Sequence, residues 1–220
     1  MSFSLYLLYV FELIALIFGS YYFRNIKQKF LYLYFYVLVG VCTELFNIVL
    51  TKLGSHNSLW ISHIYFPLEF VLLAFFYIPH LAPVIKRQWI ILIISTFVLY
   101  SIVNVLFIQS YNEFSQVRVY SSILLVLFSL IYFYRVMNEG KISKVWEEPM
   151  IWVNSSVMII YSTIFFYNVL ANLILAESRD KALLMSYIYS VAIVLFYLLV
   201  AIAFWMEGRQ QVKRKGINLN

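Results

Sequence analysis

The sequence predicts an all-α membrane protein: a bundle of seven transmembrane helices, N-terminus outside and C-terminus cytoplasmic. Three observations predict it. Of 220 residues, 64% are apolar and 12% charged, against about 25% charged in an ordinary soluble domain. So few charges cannot cover a water-exposed surface, and lipid must be the solvent. Apolar stretches long enough to cross about 30 Å of hydrocarbon occur seven times, and their lack of period-two alternation makes them helices rather than barrel strands. The basic residues, finally, gather on one side of the connections.

The first span, Phe3–Phe23, has neither a basic n-region nor a small-residue cleavage site, and reads as a retained helix rather than a signal peptide. In the second, Phe30–Leu50, Gly40, Glu44, Asn47 and the following Thr51 recur at steps of four, three and four, which makes one polar stripe. The third, Leu59–His80, aligns Ser62, Tyr65 and Glu69 beside Pro67. Proline has no N–H to give the His63 carbonyl, so a kink is predicted there, facing the bundle interior. The fourth span, Gln88–Ile108, supplies Ser101 and Asn104, and the fifth, Val117–Met137, supplies Arg118, Ser122 and Ser129. The sixth, Met150–Leu175, carries Asn154, Tyr161, Asn168 and Asn172 on one face. The seventh, Ala182–Trp205, adds Ser186 and Ser190. Residues 1–207 thus form one seven-helix domain, and 208–220 a basic cytoplasmic tail.

Twelve of the sixteen Lys and Arg residues fall on one side of the spans; Lys52, Arg118, Arg179 and Lys181 fall on the other. The positive-inside rule makes the richer side cytoplasmic, as expected for a multi-pass protein of the plasma (inner) membrane. Trp60, Trp89, Trp146 and Trp205 stand near span ends, as an aromatic belt requires. The net charge of +6 lies in these short connections, which excludes nucleic acid as a partner. The tail suits anionic membrane lipid and would also suit a cytoplasmic or membrane partner protein; an oligomer is compatible with both. A single cysteine, Cys42, leaves no disulfide framework, and His56, His63 and His80 are too scattered for a helical metal pair. No metal or other cofactor is expected.

Polar groups kept inside a bilayer carry the functional signal, because a charge at the midplane costs about 2.5–3.5 kcal/mol even on the lenient insertion scale. Glu12, Glu44 and Glu69 are the three acids inside spans. The candidate ligand-binding or ion-coupling residues are Glu44, Asn47, His63, Glu69, Asn104, Arg118, Asn168 and Asn172. Most fall in the outer half, with Glu12 and Glu69 near the middle. That asymmetry predicts a polar pocket opening outward with a carboxylate at its floor. Asn, Ser and Tyr in membrane helices also serve as interhelical packing contacts, and Arg118 could equally act as an outer anchor or as a counter-ion to Glu44.

No lysine lies midway along the seventh span, which excludes a retinal pigment, and neither HExxH nor GxSxG occurs. Tyr65-Phe66-Pro67-Leu68-Glu69 resembles the Pro-x-Glu-Glu motif of small membrane lycopene cyclases but has Phe70 in place of the second acid. The span count and orientation resemble those of SWEET-type sugar carriers, two three-helix repeats around a linker helix. The segments His63-Ile64-Tyr65-Phe66-Pro67-Leu68-Glu69-Phe70 and Glu148-Pro149-Met150-Ile151-Trp152 resemble those of small, uncharacterised seven-span membrane proteins of Bacteroidota-type bacteria. That resemblance implies a sensory role beside signalling proteins. The leading expectation is a non-enzymatic receptor-like sensor or a membrane subunit of a larger assembly. The alternatives are a small-solute or ion/proton-coupled transporter, then a lipid- or isoprenoid-modifying enzyme. The orientation has a direct test. In a Cys42→Ala background, cysteines at Ser55 and Glu113 should react with an impermeant reagent outside intact cells, and cysteines at Asn25 and Gly140 should not; the opposite pattern inverts the topology.

Overall fold

Helices account for nearly all of the computed structural model, which describes residues 3–54, 59–111, 115–140, 145–177 and 179–217, with backbone alone at 3–6, 171–182, 215 and 217. They are α1 (Phe3–Tyr21), α2 (Gln28–Lys52), α3 (Trp60–Leu81), α4 (Arg87–Val103), α5 (Val117–Glu139), α6 (Pro149–Glu177) and α7 (Arg179–Ile217). Six are long and apolar enough to cross a membrane, and the described apolar part of the remaining one, Leu7–Tyr21 in α1, is shorter. No strand occurs among the described residues. The chain is therefore a seven-helix, multi-pass membrane protein.

Helix ends follow local chemistry. Gly54 (φ 82°) and Gly140 (φ 56°) adopt the left-handed conformation that stops α2 and α5 at little steric cost. The last turn of α4 widens at Asn104–Ile108 into a π-helical turn, where the Gln109 N–H donates to the Asn104 carbonyl five residues back (2.8 Å). α3 stays helical through both Pro67 and Pro79. In the segment expected to be a basic tail, α7 continues as helix to Ile217, so Arg209, Lys213 and Arg214 stand on a helical extension.

Packing closes a ring. α1 lies against α2 and α7, α2 against α3, α3 against α5, α5 against α6, and α6 against α7. α4 packs chiefly on α3 and stands outside this ring of six. The end that holds the α1–α2, α3–α4 and α5–α6 connections and the close of α7 is the basic end; the other is the distal end.

Toward the basic end the interior is apolar and full. Phe30, Leu33, Leu73, Phe76, Leu81 and Phe204 are all buried, and the rings of Phe30 and Phe76 meet edge to face at 5.4 Å. Asn154 ties three helices there: Tyr77 donates to its Oδ1 (2.7 Å), its Nδ2 donates to the Ser129 carbonyl (3.1 Å), and Ser129 Oγ donates to its own carbonyl (3.1 Å). This is polar packing of the kind that holds membrane helices without a hydrophobic driving force. At the surface of this end, Lys27 lies 3.8 Å from the buried Glu207, and Arg135 donates to the His80 carbonyl (2.6 Å) and pairs with Glu139.

Gly208 lets α7 lie against the turn after α1: an added Cβ would sit 2.2 Å from Cγ and 2.7 Å from Cβ of Tyr22. Because the clash reaches the root of the Tyr22 side chain, no rotamer relieves it. Gly208→Ala should therefore destabilise the bundle by about 1–3 kcal/mol, the usual scale of overpacking. Gly216→Ala, where an added Cβ meets nothing, should not. Thermal unfolding in detergent compares the two.

Candidate functional site

Glu12, Glu44 and Glu69 come from three different helices yet lie at similar depth. At 1.5 Å per residue each is roughly 12–14 Å along its helix from the distal end. Carboxylates there cannot be left to hydrocarbon, and the bundle answers with tyrosines. Tyr197 of α7 donates to Glu12 Oε1 at 2.9 Å. Tyr36 of α2 donates to Glu69 Oε1 at 3.2 Å, and Tyr161 of α6 donates to the same oxygen. Glu12 and Glu69 are each only 6% exposed, so these hydroxyls replace water as their donors. Gly40 makes the first pairing fit: a Cβ there would lie 2.9 Å from Glu12 Oε1 and 3.3 Å from the Tyr197 hydroxyl.

Arg118 enters from the second residue of α5. Its guanidinium lies 4.3 Å from the centre of the Phe66 ring, a cation–π arrangement, and donates from Nη2 to the Tyr189 hydroxyl of α7 (3.0 Å). Its Nε is sealed from solvent without a hydrogen-bond partner among the described residues. Within those residues neither Arg118 nor any of the three acids is in an ion pair. Arg118 and Glu44 thus form no direct ion pair among the described residues; the guanidinium engages Phe66 and Tyr189.

Two cavities use these groups. One, of about 250 Å³, opens between α2, α3 and α5 and is lined by Gly40, Thr43, Glu44, Asn47, Ser62, Tyr65, Phe66 and Arg118, among others. The second, of about 140 Å³, lies among Glu12, Tyr36, Glu44, Tyr65, Glu69, Arg118, Tyr189 and Tyr197 with a largely apolar remainder from α1, α6 and α7. Glu44, Tyr65 and Arg118 line both, so an outer vestibule shares its wall with an inner chamber. Every helix of the ring contributes a chamber residue, and α4 contributes none.

Four predicted site residues, Glu44, Asn47, Glu69 and Arg118, meet at these cavities. The others go elsewhere. His63 is buried with its ring against Tyr111 at 6.0 Å. Asn104 donates to Gln109 Oε1 (3.0 Å) and closes the end of α4. Asn168 folds back onto the Ile164 carbonyl of its own helix (2.8 Å). The side chain of Asn172 lies outside the described residues, as do the connection positions Ser55 and Glu113. Sequence reasoning passed over Tyr36, Tyr189 and Tyr197. A signal for them existed: Tyr36 stands one turn before Gly40 on the same stripe, and Tyr189, Ile193 and Phe196 recur at helical steps.

No protein-family model matches the chain, and no curated protein or solved structure matches it either. Its class therefore rests on its own architecture, a multi-pass ring of six helices, flanked by a seventh, around a chamber of carboxylates and tyrosines.

Glu69 gives a test of how the chamber is held. Glu69→Gln keeps an acceptor oxygen for Tyr36 and Tyr161 and should leave thermal stability nearly unchanged. Glu69→Leu leaves the Tyr36 and Tyr161 hydroxyls only each other, 3.4 Å apart, so one of them loses its acceptor at a cost of about 1–3 kcal/mol, and the unfolding midpoint should fall clearly. Equal midpoints would mean that the two tyrosines do not depend on residue 69.

Proposed function

We propose that this chain is a receptor-like protein of the plasma (inner) membrane that admits a small polar solute from outside into the chamber. The observation that carries the proposal is that all six helices of the ring place a side chain on one small cavity. An occupant therefore touches every element that could move, and its differential contacts are the means by which a ligand shifts a helical arrangement. Support for binding rather than open conduction comes from the packed apolar core between chamber and basic end, where Leu33, Leu73, Phe76 and Phe204 are fully buried. The output passes to a cytoplasmic or membrane partner through helix displacement. The basic extension of α7 would lie against anionic lipid at that face.

One observation favours a second reading, a small-solute carrier. α1–α3 and α5–α7 each supply half of the ring while α4 stands outside it, a three-one-three layout that alternating access can use. Saturable uptake of solute into proteoliposomes would favour the carrier, and binding without flux the receptor.

The receptor reading requires the vestibule to be open to the outside. Asn47→Cys in a Cys42→Ala background should react with an impermeant maleimide added to intact cells. Cysteine at Leu92, on the outward side of α4, should not. An unreactive Asn47→Cys in a folded protein would remove the reading.

A further inference from the structure

Resting on the reading of the chamber as a solute site, we propose that its ligand is a small zwitterion of the amino-acid type, with its carboxylate on Arg118 and its ammonium on Glu44. The two cavities hold one guanidinium and three carboxylates. Two of the acids are already committed: Glu12 accepts from Tyr197, and Glu69 from Tyr36 and Tyr161. Glu44 differs from them. It is exposed to the vestibule, on the wall shared by both cavities.

Arg118 is the complementary half. It lines the same shared wall, and one Nη donates to Tyr189 while Nε, sealed from solvent, has no partner among the described residues. A buried N–H without an acceptor costs about 1–3 kcal/mol, a cost that an arriving carboxylate would remove. The planar guanidinium also matches a carboxylate's two oxygens better than an ammonium would.

Charge selects the zwitterion over its parts. A simple anion would gain Arg118 but meet three carboxylates in a low-dielectric chamber. A simple cation would gain Glu44 but leave Arg118 with its unspent donor and add a second positive charge beside it. A molecule carrying both groups satisfies both ends at once and adds no net charge. Size agrees: the inner chamber holds about 140 Å³, close to the roughly 150 Å³ cavity that accepts a benzene-sized molecule, and the vestibule adds about 250 Å³ beside it.

The experiment is thermal unfolding of the full chain in nanodiscs, titrated with the common L-amino acids and with β-alanine and 4-aminobutyrate. Acetate and methylammonium serve as single-charge controls. At least one zwitterion should raise the unfolding midpoint saturably, and neither control should do so at the same concentration. Glu44→Gln, at an exposed position, should leave the ligand-free midpoint in place and weaken that zwitterion tenfold or more. Arg118→Lys, which keeps the charge but loses the planar fork, should weaken it as well. No response to any zwitterion, an equal response to acetate or methylammonium, or full affinity in Glu44→Gln would each overturn the assignment. Labelling of Asn47→Cys separates the two failures. If the vestibule is reached from outside and no zwitterion binds, the ligand class alone is wrong; if it is not reached, the solute site falls with it.

Discussion

Ionisable groups held within hydrocarbon are the constraint on which the rest of this structure depends. An uncompensated carboxylate in such a medium is strongly destabilising. Glu12 and Glu69 take their donors from other helices, and each holds a neighbour in register. Glu12 on α1 accepts from Tyr197 on α7. Glu69 on α3 accepts from Tyr36 on α2 and Tyr161 on α6. Arg118 on α5 donates to Tyr189 on α7. These bonds tie the six helices of the ring in two sets of three, α1–α7–α5 and α2–α3–α6, and the helix that takes no part in them, α4, is also the one that stands outside.

The two ends of the bundle are built on different terms. Toward the basic end, buried aromatic rings and the Asn154 clamp pack the helices together, and close-packed interiors resist continuous deformation. At the distal half the same helices separate around cavities walled by hydroxyls and charges, which hold their places by hydrogen bonds rather than by shape. Displacement is therefore less costly at the chamber than beneath it. The connection between α4 and α5 helps to close that half: Ser115 N–H donates to Ser62 Oγ (3.3 Å) at the start of α3, and Gln116 N–H donates to Gln109 Oε1 (3.1 Å).

The fold was legible because bilayer thickness imposes one length on every span. The expected Val117–Met137 becomes Val117–Glu139, and Leu59–His80 becomes Trp60–Leu81. That α7 runs past its expected apolar limit has a plain cause. Hydropathy ends at Trp205, but Glu207 and Gly208 find partners in Lys27 and Tyr22, and packing carries the helix onward. The site was legible only in part. Glu44, Asn47 and Glu69 announce themselves because polar groups at helical spacing in an apolar run must face something. Asn104, His63 and Asn168 obey the same rule but turn to local contacts: Asn104 donates to Gln109, the His63 ring packs on Tyr111, and Asn168 donates to a carbonyl of its own helix. Spacing cannot distinguish a side chain aimed at a cavity from one folded onto its own helix. The tyrosines escaped for the opposite reason: among 19 of them, in a chain where tyrosine also serves as belt and filler, composition hides the few whose hydroxyls bear on a carboxylate.

What joins the chamber to the basic end is α7. Its 39 residues run roughly 58 Å at 1.5 Å per residue, well beyond the bilayer core. Along that length it meets Arg118 at Tyr189, Glu12 at Tyr197, Lys27 at Glu207 and Tyr22 at Gly208. The first two contacts are with chamber charges, and the last two are with the connection that follows α1. α1 and the turn that follows it make two of these contacts from their own side, through Glu12 at one level and Tyr22 at the other. The α1–α7 pair is thus fastened at both ends, and a change in the partners of Glu12 or Arg118 bears directly on a helix that emerges among Arg209, Lys213 and Arg214. These four contacts lie along one continuous helix, which makes α7 the element shared by the chamber and the basic end.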